Sequence, residues 1–270
     1  MKTLLYLHGI SGNNRMLLEY AADFCTHYDW KLEVLLSRSY SHSILHPAQD
    51  EEDDINEESL ANEEVAIDIA DQLEERIDPD LLDFTFKKGK LDEVLNQYIH
   101  HRGVDMVLLS QHDISRSTKN NQLKDILINT LDTPLLVLPE FQVFQPLDGI
   151  NFLTTYTEND LDHIISLADL FDQSFITITH FETKMSSPQT KSHNWVKYLE
   201  NKISGRFEHE ILKDDFKSYL QNKNIPTAQR YDAIVFTSRK RKFLERLYDS
   251  STTLNFLTFQ NFPSIVFKIS

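Results

Sequence analysis

Residues 6 to 13, YLHGISGN, raise the first chemical question in this chain. A hydrophobic strand running into His8-Gly9 is a turn that can present backbone N–H groups to a developing oxyanion, and eleven histidines supply candidate bases. Acyl transfer also needs a nucleophile, a serine on a strained strand-to-helix elbow, G-x-S-x-G, whose flanking glycines permit the backbone geometry. The six glycines stand at 9, 12, 89, 103, 149 and 205, and no two are four apart. No such elbow exists, so Gly9 and Gly12 are better assigned to a tight turn into a helix.

The other clusters are weaker. His42, His46, Asp50, Glu51 and Asp53 share one loop, but their spacing matches no zinc or calcium loop, and a run of acids is ordinarily a solvated surface. His100-His101 closes an amphipathic pattern just before Gly103, where a cation favours a helix C-terminus. His112 falls after an apolar strand, on the side where open α/β sheets bind ligands. The run RKRK, residues 239 to 242, is a local basic cluster at a helix entrance, read as a solvated face before an anion site.

Composition bounds the function classes. At 270 residues with 40% hydrophobic content, the chain has enough apolar material for one large domain or two smaller ones. A formal charge of -15 argues against a nucleic-acid surface, because a phosphate backbone would be repelled at long range. The single cysteine, Cys25, has no intrachain mate and sits on an apolar helix face, which suits a reducing cytoplasm. In MKTLLYLHGI charge and turn residues come too soon for a signal peptide, and no apolar run approaches the roughly 18 residues of a membrane span. The expectation is a cytoplasmic protein with neither nucleic-acid nor membrane partner.

These candidates have to be positioned by an alternation of strands and helices. TLLYL at 3 to 7 reads as a buried strand, and Leu17, Ala21, Phe24, Cys25 and Tyr28 form a helix face at 3.6 spacing. KLEVLLS is a second strand, and the acidic loop DEEDDINEE leads to a helix carrying Ala66, Ile69, Ala70, Leu73 and Ile77. LDFTF, the helix LDEVLNQYI, the strand VDMVLLS, the helix LKDILINTL and the strand PLLVL complete residues 1 to 140. PEFQVFQPLDG has two prolines, a glycine and no period, giving a linker at 141 to 149.

The same order then restarts: INFLTT, a helix with Leu161, Ile164, Ile165, Ala168 and Phe171, FITIT, a helix with Trp195, Leu199 and Ile203, and RFEHEIL. A short helix around FKSYL, the strand DAIVF, a helix beginning near Lys242 and the strand SIVFKI close residues 150 to 270. Near-continuous apolar strands alternating with helices predict α/β architecture, as two tandem open five-stranded parallel sheets flanked by helices. The second copy is shorter because it has no counterpart to the acidic loop.

In combination these features resemble the universal stress protein family in its tandem two-domain form, and so its adenine nucleotide alpha hydrolase-like fold. The segments that carry the likeness are VDMVLLSQHDISRSTKNNQLKDILINTLDTPLLVLP and YDAIVFTSRKRKFLERLYDSSTTLNFLTFQNFPSIVFKI, with the first strand and the helix containing EYAADF. Family members commonly close each domain with a strand, G-x-x-G, a nine-residue spacer, G-S or G-T, a helix and a proline-led last strand. In nucleotide-binding members the glycines let backbone N–H groups approach the phosphates, and an acid at the end of the first strand helps position the nucleotide.

Carried over residue by residue, the likeness implies altered ligand positions. In the first half the glycine positions fall on Ser110, Asp113, Asn121 and Gln122, the spacer being two residues short, and the acid position falls on His8 or Gly9. In the second half they fall on Thr237, Lys240, Ser250 and Ser251, with Tyr156 at the acid position. Only Ser251 keeps the family's residue type. Side chains stand where the family keeps bare backbone, and Asp113 would repel phosphate.

The resemblance therefore implies a non-catalytic protein of degenerate nucleotide-binding motifs, acting in stress response through binding or protein interaction, with no cofactor expected. An ATP- or AMP-binding protein with slow ATP hydrolysis, using Lys240, Ser250 and Ser251, is the alternative. An α/β-hydrolase-type esterase built on the HG turn is the remaining one. The expected partners are the two halves packed as a pseudo-dimer, an unidentified protein, and a second copy in a homodimer, because an apolar terminal strand such as SIVFKIS is a liability as an open edge.

Overall fold

The structure, a computed structural model, describes residues 1–8, 15–38, 63–88, 91–111, 133–139, 141–154, 158–181, 188–203, 206–212, 231–239 and 262–269. Contacts divide the chain into two compact units, Met1–Leu131 with Phe141–Phe144, and Asp132–Glu140 with Gln145–Ser270.

In the first unit the elements are β1 (Thr3–His8), α1 (Arg15–Tyr28), β2 (Lys31–Arg38), α2 (residues 63–73), β3 (Leu82–Lys88), α3 (Leu91–Arg102) and β4 (Met106–Ser110). The strands lie in the order β3-β2-β1-β4, every pair parallel. Leu4 to Leu7 and Met106 to Leu109 are buried without alternation, the mark of strands covered on both faces.

Helix α1 buries Leu17, Ala21, Phe24 and Cys25 as the spacing predicts, and Leu18, Tyr20 and Ala22 besides. Burial pushes the Cys25 thiol up in pKa, leaving it an inert core group. The Trp30 ring stands edge-on to Phe24 at 5.3 Å, and Phe144, from the segment after the first half, meets Tyr20 at 5.4 Å. The predicted linker is thus anchored on α1. Helix α3 ends where Gly103, at φ 67, donates its N–H to the Ile99 carbonyl, a left-handed cap that glycine adopts without strain. His101 is exposed in that last turn.

The second unit contains β5 (Leu135–Leu138), β6 (Gly149–Thr154), α4 (Glu158–Leu170), β7 (Phe175–Phe181), α5 (Pro188–Lys202), β8 (Phe207–Leu212), β9 (Ala233–Arg239) and β10 (Ser264–Ile269). Its strand order is β5-β10-β9-β6-β7-β8. All pairs are parallel except β5 with β10, where Ser264 faces Val137 and Val266 faces Leu135 in antiparallel register. The α/β architecture with a mostly parallel sheet is as predicted, whereas β5 departs from the expected all-parallel arrangement. Its four apolar residues cover the edge of β10, which would otherwise expose a row of unpaired backbone groups.

Each unit carries the same brace. The Thr3 amide donates to the Asp105 side chain at 2.7 Å while the Asp105 amide donates to the Thr3 carbonyl at 3.0 Å. In the second unit the Gly149 amide donates to the Asp232 side chain at 2.7 Å, and the Asp232 amide donates to the Gly149 carbonyl at 2.8 Å. These residues lead into β4 and β9, so each brace fixes where a first strand starts against its neighbour.

Glu33 on β2 is 2% exposed, and its Oε1 accepts from the hydroxyls of Tyr98 and Thr85, the latter at 3.1 Å. A buried carboxyl group is tolerated only with such partners. Tyr98→Phe removes one of the two donors. It is expected to destabilise the first unit by about 1–3 kcal/mol, read as a lower urea midpoint for the fluorescence of its buried Trp30.

Candidate functional site

In an open parallel sheet the crevice lies at the carboxyl ends of the strands where their order reverses. Here that point is between β1 and β4 in one unit and between β6 and β9 in the other. The pairing Tyr6 with Leu108, continued to the strand ends, sets His8 beside Ser110. The pairing Leu153 with Phe236, continued by one residue, sets Thr154 beside Thr237. Two positions singled out in the first half are therefore brought together, and Thr237 gains a neighbour that the sequence reading missed.

In the first unit, His8 forms one wall of a cavity of about 130 Å³ with Arg15 and Leu18 of α1 and Asp68, Ile69 and Gln72 of α2. Arg76 holds the two helices together, its guanidinium reaching Asp23 at 2.8 Å and Glu19 at 3.1 Å. Such exposed pairs contribute at most about 1 kcal/mol each, so Ile69 and Leu73, buried from α2, do most of the docking. The Asp68 carboxyl accepts from Gln72 at 2.7 Å, and Arg15 Nε donates to Glu19 at 2.6 Å.

Burial lowers the His8 pKa, and the nearby Asp68 charge opposes this only in part. The imidazole is consequently neutral at pH 7, with its buried Nδ1 lacking a hydrogen-bond partner among the described residues.

In the second unit Thr154 ends β6 and donates its hydroxyl to Asp160 Oδ2 at 2.6 Å, both residues being 2% exposed. Asp160 comes from the first turn of α4, so a carboxyl group reaches the strand end from the helix rather than from the strand. One turn on, His163 Nδ1 lies 3.2 Å from Thr237 Oγ1, and its ring stacks on Phe267 at 5.0 Å. The Thr237 hydroxyl is thus engaged by a side chain of α4.

Gly9, Asp113, Asn121, Gln122, Tyr156, Lys240, Ser250 and Ser251 lie outside the described residues, as do His112 and the loop with His42, His46, Asp50, Glu51 and Asp53. Among the described residues, no group of three or more His, Cys, Asp or Glu side chains is placed to hold a metal ion, and no helix is long and apolar enough to cross a membrane. Thr154, Asp160 and His163 were not found by sequence reasoning. The usable signal was the equal length of TLLYLH and GINFLT, which sets Thr154 opposite His8 once both strands are anchored at their braced first residue.

No protein-family model matches the sequence, and no curated protein is matched by it. Solved structures do match. A universal stress protein from Archaeoglobus fulgidus DSM 4304 superposes with a TM-score of 0.69 at 16% identity, over 98% of this chain and 96% of that one. A candidate universal stress protein from Pseudomonas aeruginosa UCBPP-PA14 matches at 0.53 and 11% identity, over 99% and 93%. A functionally unknown protein from Pseudomonas aeruginosa PAO1 matches at 0.52 and 12%, over 99% and 92%. The chain has the fold of the universal stress proteins.

Thr154→Val keeps the shape at the end of β6 and removes the donor to Asp160. The expected result is a loss of about 1.5–3 kcal/mol, since a buried carboxyl group loses a hydrogen bond. The urea midpoint followed by the emission of Trp195, with Trp30→Phe as the parent background, measures it.

Proposed function

We propose that the chain is a non-catalytic tandem protein of the universal stress protein fold, acting in stress response by binding or protein interaction through altered nucleotide pockets. The tandem reading divides it into residues 1–140, a linker at 141–149 and residues 150–270, paired as a pseudo-dimer in the cytoplasm. The repeated brace, Thr3 with Asp105 and Gly149 with Asp232, supports a repeated plan in the two parts.

The observation that carries the altered pocket is the pair of strand ends. At the described strand ends this chain has a neutral His8, at a position where nucleotide-binding relatives are expected to hold an acid, and a Thr154 already bonded to Asp160. A neutral imidazole at that strand end offers a nucleotide phosphate no charge complementarity.

The alternative is an ATP- or AMP-binding protein with slow hydrolysis through Lys240, Ser250 and Ser251, with Ser110, Asp113, Asn121, Gln122, Tyr156 and Thr237 at the corresponding positions of a rebuilt loop. Isothermal titration with ATP and AMP separates the two. The proposal expects no saturable heat at micromolar nucleotide, and low-micromolar affinity would overturn it. Loss of that affinity in a Lys240→Ala, Ser251→Ala double variant would then locate the alternative site. Esterase chemistry predicts a covalent adduct with a fluorophosphonate probe, and the proposal expects none.

A further inference from the structure

Among the described strands β3 stands at the end of the first unit's order, paired along one side with β2. Residues 82 to 87 are all partly or largely exposed, Phe86 to 38%, whereas Leu32, Val34 and Leu35 of β2 are buried. An edge of this kind can accept a further strand.

The residues of β3 are complementary to themselves about the central one. A second copy that continues the sheet in antiparallel sense, around a two-fold axis at Thr85, sets position 83 opposite 87 and position 84 opposite 86. On one face Asp83 then meets Lys87 of the second copy, and Lys87 meets its Asp83. On the other face Phe84 meets Phe86, which covers the exposed ring. Opposite charges and aromatic rings are both favourable cross-strand neighbours. The Asp83 carboxylate holds Lys31 at 2.8 Å and accepts from the Phe84 amide at 2.9 Å, yet its side chain is still 41% exposed, so a second cation can reach it. Lys87 is exposed.

Two other strands are poorer partners for a second copy. The terminal strand β10 lies between β5 and β9, so neither of its edges is open. In β8, antiparallel self-pairing centred on Glu208, His209 or Glu210 brings a glutamate opposite a glutamate in every case. Like charges directly opposite are destabilising.

We propose that the open edge of β3 is a homodimer surface, on which a second copy of the chain adds antiparallel and is held in register by two reciprocal Asp83–Lys87 pairs. One seven-residue strand from each copy makes a contact smaller than the roughly 1,600 Å² of a standard interface. The dimer therefore forms and dissociates with concentration. This inference is independent of what the strand ends bind, so the nucleotide titration does not bear on it.

Sedimentation velocity of the full chain over a concentration series tests it. The wild-type chain should shift from monomer to dimer, and no further, as concentration rises. Lys87→Asp and Asp83→Lys each turn two opposite-charge pairs into two like-charge pairs, and each should weaken self-association by about tenfold or more. An equimolar mixture of the two variants should recover the wild-type level of dimer, because every facing pair is again opposite in charge. A merely structural role for either residue predicts no such recovery. Lys87 is exposed, so its variant keeps the test valid even where loss of the Lys31 link disturbs the other. A wild-type chain that stays monomeric, species larger than a dimer, unchanged association of Lys87→Asp, or a mixture of folded variants no more associated than its components would overturn the proposal.

Discussion

The two-way hydrogen bond between the first residue of a leading strand and the aspartate that precedes its neighbour is the constraint on which both candidate sites rest. Asp105 grips the amide of Thr3, and Asp232 grips that of Gly149, each returning its own amide to the carbonyl of the same residue. A parallel pair has no hairpin to set its register, so something else must. With the start pinned, six residues of strand carry the chain to His8 beside Ser110, and to Thr154 beside Thr237. A slip of one residue would turn Leu5 and Asn151 to the other face and move the strand ends out of the crevice.

From those ends the two units diverge. The first closes its crevice with α2, whose Asp68 and Gln72 face a histidine kept neutral by burial. The second delivers Asp160 and His163 from α4 to occupy the hydroxyls of Thr154 and Thr237. The described strand ends thus meet different side chains in the two units. The same sheet therefore supports different pockets, as expected when function resides in a site rather than in a fold.

Most of the architecture was legible because burial on both faces leaves no polar residue within LLYL or MVLL, and because α1 and α2 keep their 3.6 period. The direction of β5 was not legible. LLVL is apolar throughout and suits either partner, and its pairing with β10 is a contact across more than a hundred residues. Tyr156, the expected acid position, lies outside the described residues, two positions beyond Thr154. The link from His163 to Thr237 spans 74 positions and depends on how α4 seats, which no local pattern encodes. Cys25 and the Gly103 cap, by contrast, are local features and could be read directly.

The account's central claim is that the universal stress protein fold is retained here while the strand ends no longer receive a nucleotide. A crystal structure grown with millimolar ATP or AMP tests it most directly. The account predicts no nucleotide density at the carboxyl ends of β1 and β4 or of β6 and β9, with His8 still against Asp68 and Thr154 still bonded to Asp160. An adenine nucleotide seated at either crevice, its phosphates against Ser110 or Thr237, would contradict it.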